Sequence, residues 1–456
     1  MKIIKNILIL SVICFCILLN GSGINAATSE KSIVPIVSFL ISDEDTAIKY
    51  PPEILFHENP IATQALSMPD FLNPVSGPAF SNRITRITDY DDRRLSQNYP
   101  KVQSWNCNGS YLRLNNTLLD GKTYESLPEP VGSLNSHAFH IDDRRWSHSK
   151  PNIMYGLQRR WNANDMVDNE INDNHYDFVS HDVENTVSNA EGVTTLIRFS
   201  GNEYQTVKMG PGEGNIDFND SIVAFAALKH GANYLTVIVF DMIANTIIKT
   251  QDFPDIAWDG GYNTALDWVS VSPGGNYVLI KWEDNPGGGT SASSIHQYDS
   301  RTLNYIRKLS NQGGHGDMGL DANNREVYVQ FEFGSRNGIW MYHMDDGSET
   351  LLLPCKYNGG HVSCRNYKRP GWCYMSTNRE TYREVFAIKL DDSGLANRFA
   401  QTHIAEYINQ AGQSRSAPNS QGGANPDGSK IIFKSNWDGE ANGNGYMDSF
   451  VVEIPQ

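Results

Sequence analysis

One module recurs along this chain: a polar or small stretch, a turn, then a run rich in β-branched and aromatic residues. Seven copies align, at Gln103–Leu114, Arg145–Gly156, Glu213–Ala226, Asp267–Trp282, His315–Gln330, His361–Ser376 and Asn419–Trp437. Their turns fall near Asn108, Lys150, Asn219, Gly274, Asn323, Pro370 and Asp427, with successive spacings of 42, 69, 55, 49, 47 and 57 residues. Repeats of ~40–50 residues with about four strands each are the signature of propeller blades. So small a sheet cannot cover both of its faces, and a ring gives each sheet a neighbour on either side. The competing arrangement, two β-sandwiches with accidental similarity, leaves the repetition unexplained. The expected fold is all-β, a seven-bladed β-propeller. Leu395–Asn409 is the best helix candidate, and Ser32–Phe39 is the candidate closing strand, pairing near Ser449–Ile454.

The first 26 residues stand apart from the repeats. Lys2 and Lys5 precede the apolar run Ile7–Leu19, and Asn20–Ala26 ends in small residues. That order reads as a secretory signal peptide cut near Ala26, because the run falls short of the ~20 residues a membrane-spanning helix needs. A secreted or periplasmic monomer with no membrane segment is expected, with residues 27–456 forming one catalytic propeller domain. The formal net charge of −15 argues against nucleic acid, whose phosphates demand clustered Lys and Arg. An anionic ligand would have to meet a local basic cluster that opposes the overall field. Beyond the signal, the cysteines are Cys107, Cys355, Cys364 and Cys373. Three of them fall close together, which fits either one local disulfide or a metal thiolate.

If the strand before each turn lines a central channel, the stretch preceding it reaches one mouth. That mouth would carry Gln103, His148, Glu213, Asn215, Asp267, His315, Asp317, His361, Ser363 and Gln421. Converging histidines and carboxylates point to chemistry. His315-x-Asp317 and His361-x-x-Cys364 sit on adjacent copies and combine imidazole, carboxylate and thiolate, a donor set that suits zinc. Cys355 is an alternative sulfur ligand, and the plainer reading is two satisfied histidines with a buried thiol. A second constellation gathers His137, His140 and His148 among Arg144, Arg145, Arg159 and Arg160, the densest basic segment of the chain. Histidine transfers protons near neutral pH, and arginine grips a carboxylate or sulfate through paired hydrogen bonds. The alternative there is a solvated charged loop.

The segments RWSHSKPNIMYG, GEGN, SPGGNYVLI, GGHGDMGLD and GGHVSCRN with PGWCYMS carry a resemblance. From about Tyr99 to the C-terminus the chain resembles the propeller polysaccharide lyases, most nearly the secreted ulvan lyases and more distantly the oligogalacturonate lyases. The resemblance implies a seven-bladed propeller and β-elimination at a uronic acid. It also implies a histidine and a tyrosine as proton-transfer groups, an arginine that neutralises the carboxylate, and a structural metal. His148 fits a catalytic histidine, with His137 the nearest counterpart of an upstream one. His315, Asp317, His361 and Cys364 fit the metal site, taken as zinc. Tyr262, in a Gly-rich loop before the fourth copy, is the choice for the phenol, and Arg415, leading into the seventh, is the choice for the neutraliser. The fourth copy departs from the pattern, with Trp268 where some relatives carry histidine.

The function expected on these grounds is a lyase cleaving an ulvan-like, uronate-containing polysaccharide. Two other readings stand beside it. One is a non-catalytic glycan-binding propeller. The other is a glycoside hydrolase, with Glu213 and Asp267 as two carboxylates ~5–10 Å apart.

Overall fold

A computed structural model describes residues 48–56, 61–89, 97–128, 141–160, 175–185, 192–261, 265–283, 293–312, 314–354, 360–377, 383–408, 413–415, 418–439 and 447–454. They belong to one compact unit, Ile48–Gln456. The signal segment, the Ser32–Phe39 candidate strand and Cys355 lie outside the described residues.

The turns explain why the repeat is visible in sequence. Asn106, Asp217, Ser272, Asp321 and Asn425 hold equivalent places in five copies. A side-chain oxygen of each accepts the backbone N–H that restarts the chain after the turn, at 2.7–3.0 Å. Such side-chain acceptors stabilise a turn in place of the strand ladder. The same turns place Gly109, Asp220, Gly275, Asn324 and Gly428 at positive φ. At Gly428 (φ +71) only glycine fits, because a Cβ would lie 1.9 Å from the Tyr374 Oη.

Between turns the chain builds antiparallel sheets of four or five strands. The second sheet comprises Ile141–Trp146, Ile153–Arg160, His175–Asp182 and Val193–Phe199, and the third Tyr204–Lys208, Ile222–Lys229, Tyr234–Asp241 and Thr246–Ala257. The fourth comprises Leu266–Val271, Tyr277–Glu283, Ser293–Asp299 and Tyr305–Ser310, and the fifth Gly316–Leu320, Glu326–Glu332, Gly338–His343 and Glu349–Pro354. The sixth has Gly360–Ser363, Trp372–Thr377, Glu384–Lys389 and Leu395–Gln401, with Ile54–Leu55 at its edge. Ahead of them the first copy forms a hairpin, Tyr111–Leu114 with Thr117–Asp120, flanked by the bridges Trp105–Leu112 and Leu119–Ser126. The seventh sheet mixes both ends of the chain: Gly423–Ala424, Lys430–Ser435, Asp448–Glu453, then Arg83–Arg86 and Val75–Ser76. The strand that pairs with the C-terminal one is thus Arg83–Arg86.

Leu395–Gln401 is a strand and not the expected helix start. Ala396 and Phe399 are buried between the sixth sheet and its neighbours, and that pairing outweighs local helix propensity. Each apolar cluster joins consecutive sheets. Leu118 packs with Trp146 and Met154, Leu157 with Phe225, and Val237 with Val269. Trp268 then packs with Tyr328, Phe331 with Met375, and Tyr374 with Phe433. The seventh sheet, through Ile432 and Val451, meets Trp105 and Leu112 of the first copy.

Candidate active site

The first strands of the sheets converge on one another. Gln103 Nε2 donates to the carbonyls of Arg365 and Ala424 at 2.9 and 3.1 Å, tying the first copy to the sixth and seventh. Asp317 and Arg365, both buried, form a two-point ion pair with both contacts at 2.9 Å. The Arg365 guanidinium also sits 5.2 Å from the ring of Phe218, in the turn of the third copy. Fully paired in this way, the buried charges are tolerated. Side chains gather at the two ends of this bundle, the upstream end where first strands begin and the turn end where they finish.

At the upstream end, Tyr99 Oη lies 3.0 Å from His315 Nδ1. The His315 and His361 rings stack with centroids 4.4 Å apart at 23°, and the Tyr99 ring meets His361 edge-on at 5.4 Å. Lys101 Nζ donates to Glu213 at 2.8 Å and stands 3.7 Å over the Trp268 ring. Lys281 pairs with Asp267 at 2.6 Å, and Lys434 donates to the Gln421 amide oxygen at 3.0 Å. Burial, then the nearby His315, Lys434 and Lys101, push the His361 imidazole down to about 3. Burial also lowers His315, with Lys281 adding to it. Burial raises the Tyr99 phenol, reinforced by Glu213 and Asp267. Burial lowers Lys101 and Lys434. At neutral pH this cluster holds two neutral imidazoles and a protonated phenol beside three lysines.

The turn end is different. The His148 backbone N–H and Nδ1 lie 2.9 and 3.1 Å from Asp220 Oδ1, while the Ser147 and Ser149 hydroxyls donate to Oδ2 at 2.7 and 2.6 Å. The ring packs against Phe218 and Tyr367, with centroids 5.2 and 4.7 Å away. Burial alone would raise the Asp220 carboxyl, but bonds from His148 and Ser149 outweigh it and hold the group down at about 2.

This corrects the sequence reading of His148. It follows its strand and belongs to the turn, so it does not share an end with Glu213, His315 and His361. His137 and Tyr262 lie outside the described residues, as does the side chain of Arg415, whose backbone pairs with Tyr407 in a small hairpin. The metal quartet is also not assembled. Cys364 forms a disulfide with Cys373 and so carries no thiolate. Asp317 is taken by Arg365 and by the Cys364 N–H at 2.8 Å. Among the described residues no group of three or more His, Cys, Asp or Glu is arranged to hold an ion.

Tyr99, Lys101, Lys281 and Lys434 were missed in sequence. Lys281 and Lys434 had a signal: each interrupts an otherwise apolar second strand, in VLIKW and IIFKS. Tyr99 and Lys101 precede the first copy and carry no repeat signal.

No protein-family model matches the sequence, and no curated protein does. The fold is similar to that of an oligogalacturonate lyase solved in complex with manganese, with a TM-score of 0.52 and 12% identity over 84% of this chain and 96% of that one. It is likewise similar to an oligogalacturonate lyase from Vibrio parahaemolyticus, with a TM-score of 0.50 and 12% identity over the same shares. At such identity the likeness establishes a shared propeller-like fold.

Proposed function

We propose that this chain is a seven-bladed propeller lyase that cleaves a uronate-containing, ulvan-like polysaccharide by β-elimination at the upstream end. The observation that carries the reading is the Tyr99–His315 pair, two proton-transfer groups in hydrogen-bond contact, with Lys434 nearby. The apolar clusters joining each sheet to the next, and the last to the first, support the ring. The signal-like N-terminus supports export.

Elimination needs the uronate carboxylate neutralised, a base for the proton on the carbon next to it, and an acid for the leaving glycosidic oxygen. Lys434 suits the first role, because its partner Gln421 is neutral and leaves its charge uncompensated by that contact. His315 suits the second through Nε2, with Nδ1–H donating to Tyr99. As the C–H bond breaks, its electron pair forms the new double bond and the C–O bond to the leaving sugar breaks. Tyr99 donates its proton to that oxygen and is resupplied from His315 Nδ1, leaving His315 neutral with the substrate proton on Nε2.

Glu213 and Asp267, the hydrolase pair of the competing reading, are each bound to a lysine. That arrangement suits fixed counter-charges more than a carboxyl that must donate a proton. No step is routed through a metal: of the residues chosen for it, Cys364 is in a disulfide and Asp317 is paired with Arg365.

The test is incubation with a panel of uronate polysaccharides, with and without sulfate esters, followed by ultraviolet absorbance of the unsaturated product. Reducing ends appearing without that absorbance would favour hydrolysis, and binding without cleavage would favour a glycan-binding module. Variants at Tyr262 and Arg415, the sequence-based choices for phenol and cation, belong in the same series.

A further inference from the structure

We infer that the upstream end is polarised across its width, taking an acidic sugar unit on one side and an uncharged, hydroxyl-bearing unit on the other. The cationic side is the seventh copy, where Lys434 donates to the neutral Gln421 amide. The opposite side is made by the third and fourth copies, through Glu213 and Asp267. The inference deepens the proposed lyase reading and rests on it only for Lys434 receiving the uronate carboxylate.

On that second side each acid is paired with a lysine, so the charges cancel in number but not in space. Lys101 donates to Glu213 Oε2 at 2.8 Å, and Lys281 Nζ lies 2.6 Å from Asp267 Oδ2. The two lysine side chains are 5% and 8% exposed, against 22% and 36% for Glu213 and Asp267. Each pair therefore turns its positive end inward and its negative end towards solvent. The remaining oxygens, Glu213 Oε1 and Asp267 Oδ1, have no further partner among the described residues. A carboxylate oxygen so placed accepts hydrogen bonds from sugar hydroxyls. It repels a sulfate or a second carboxylate, which carry charge and no donor.

The two acids are held in place by backbone contacts. The Asn215 N–H donates to Ser270 Oγ at 3.0 Å, joining the third copy to the first strand of the fourth. Gly210, at φ +49, packs so closely on that strand that a Cβ would run into the Val269 carbonyl. Arg145 pins the 210–214 stretch through the carbonyls of Gly214 and Gly212, at 2.7 and 3.0 Å. An independent observation points to a ligand here. The Tyr328 hydroxyl is fully buried and has no partner among the described residues. It lies so near Gly316, the residue after His315, that a Cβ there would meet it. Burial raises its phenol, and Glu213 and Asp267 add to that, so the hydroxyl keeps its proton. An unmet buried donor is costly, and a bound sugar hydroxyl can answer it directly or through one bridging water. The glycan class that fits both sides alternates uronate with uncharged units. A chain charged at every unit would set its second charge against Glu213 and Asp267.

The test is calorimetric titration of the His315→Ala protein, made to prevent cleavage from consuming the probe, with a matched pair of ligands. One is an unsulfated chondroitin tetrasaccharide, and the other is the same tetrasaccharide sulfated on its amino sugars. Turnover of both by wild type is measured separately, and thermal melts check folding. The unsulfated probe should bind at least about tenfold more tightly, a difference of about 1.4 kcal/mol. Asp267→Asn in the same background keeps the shape and removes the outward charge, and should narrow that gap at least about threefold. Glu213→Gln should do the same. Asp267, the more exposed acid, keeps the test readable if Lys101 without its partner impairs folding. Equal affinities at the outset, an unchanged gap in folded Asp267→Asn, or binding of neither probe would overturn the inference. Selective binding by a protein that cleaves nothing would keep the polarity and remove the lyase. Cleavage with no such selectivity would keep the lyase and remove the polarity.

Discussion

The two ends of the first strands each hold a histidine cluster, and the clusters differ in what answers the imidazole. At the turn end a carboxylate does: Asp220 accepts from both the backbone and side chain of His148 and also from two serines. Those bonds serve the turn, and Phe218 and Tyr367 cover the ring. At the upstream end a phenol does: Tyr99 contacts His315, and lysines stand around the pair. Here Asp220, bonded by the backbone and hydroxyls of the turn, holds His148 as part of that turn. A phenol partner in a solvent-reaching site leaves it able to exchange protons. Histidine count alone does not distinguish them; the partner does.

The largest effect that would break this contrast is on turnover. His315→Ala should lower kcat by at least about 10²-fold, the lower bound for a positioned proton-transfer group, with the melting temperature little changed. His148→Ala should show the reverse pattern, keeping kcat within a few-fold and melting earlier. If the two variants exchanged phenotypes, the assignment of the ends would be inverted.

Next comes stability at the turn end. Asp220→Ala removes the acceptor for two serines and His148 and should cost about 3 kcal/mol, as for breaking a buried charged network. Denaturant unfolding measures it, and a loss below about 1 kcal/mol would show that the turn does not depend on this carboxylate. A smaller effect is expected at Lys434. Lys434→Gln should reduce kcat/KM about tenfold, ~1.4 kcal/mol of transition-state stabilisation, with most of it in kcat. A change confined to KM would make Lys434 a binding group only.

The smallest effect sharpens the contrast by pH. Unfolded histidine takes up a proton below about 6.5, whereas folded His361 resists until about 3. Acid therefore favours unfolding, and His361 should erode stability as pH falls from ~6.5 towards 3. Unfolded aspartate protonates below about 3.9, whereas Asp220 stays ionised to about 2, so its loss falls between ~4 and 2. His361→Gln should flatten the upper window and Asp220→Asn the lower. A single unbroken slope unaffected by either variant would mean other groups dominate acid unfolding.

The sheets were legible because Asn106, Asp217, Ser272, Asp321 and Asn425 repeat one turn chemistry, which is local and leaves its mark on spacing. His315 and His361 were grouped correctly for the same reason, each lying at the start of its strand. His148 was misplaced by one strand length, since RWSH reads as strand when its last residues already belong to the turn. Cys364 could pair with sulfur or metal on sequence grounds, and only the proximity of Cys373 across the ladder decides. Lys101 and Tyr99 were invisible because their role depends on residues more than a hundred positions away.

Arg83 and Glu453 meet across 370 residues of sequence, and this sets a timetable. Sheets two to five, and the four main strands of the sixth, are built from consecutive strands and can form in turn as the chain is delivered. The seventh cannot, because Arg83–Arg86 must wait for Asp448–Glu453, which is made long after it. Contacts of such long range are slow to form and leave strand edges exposed meanwhile. Until that final pairing, Lys430–Ser435 lacks its outer neighbour and the first hairpin lacks Ile432 and Val451 to pack on. A protease or a sticky partner therefore has its best opportunity in the interval before these two distant strands find each other.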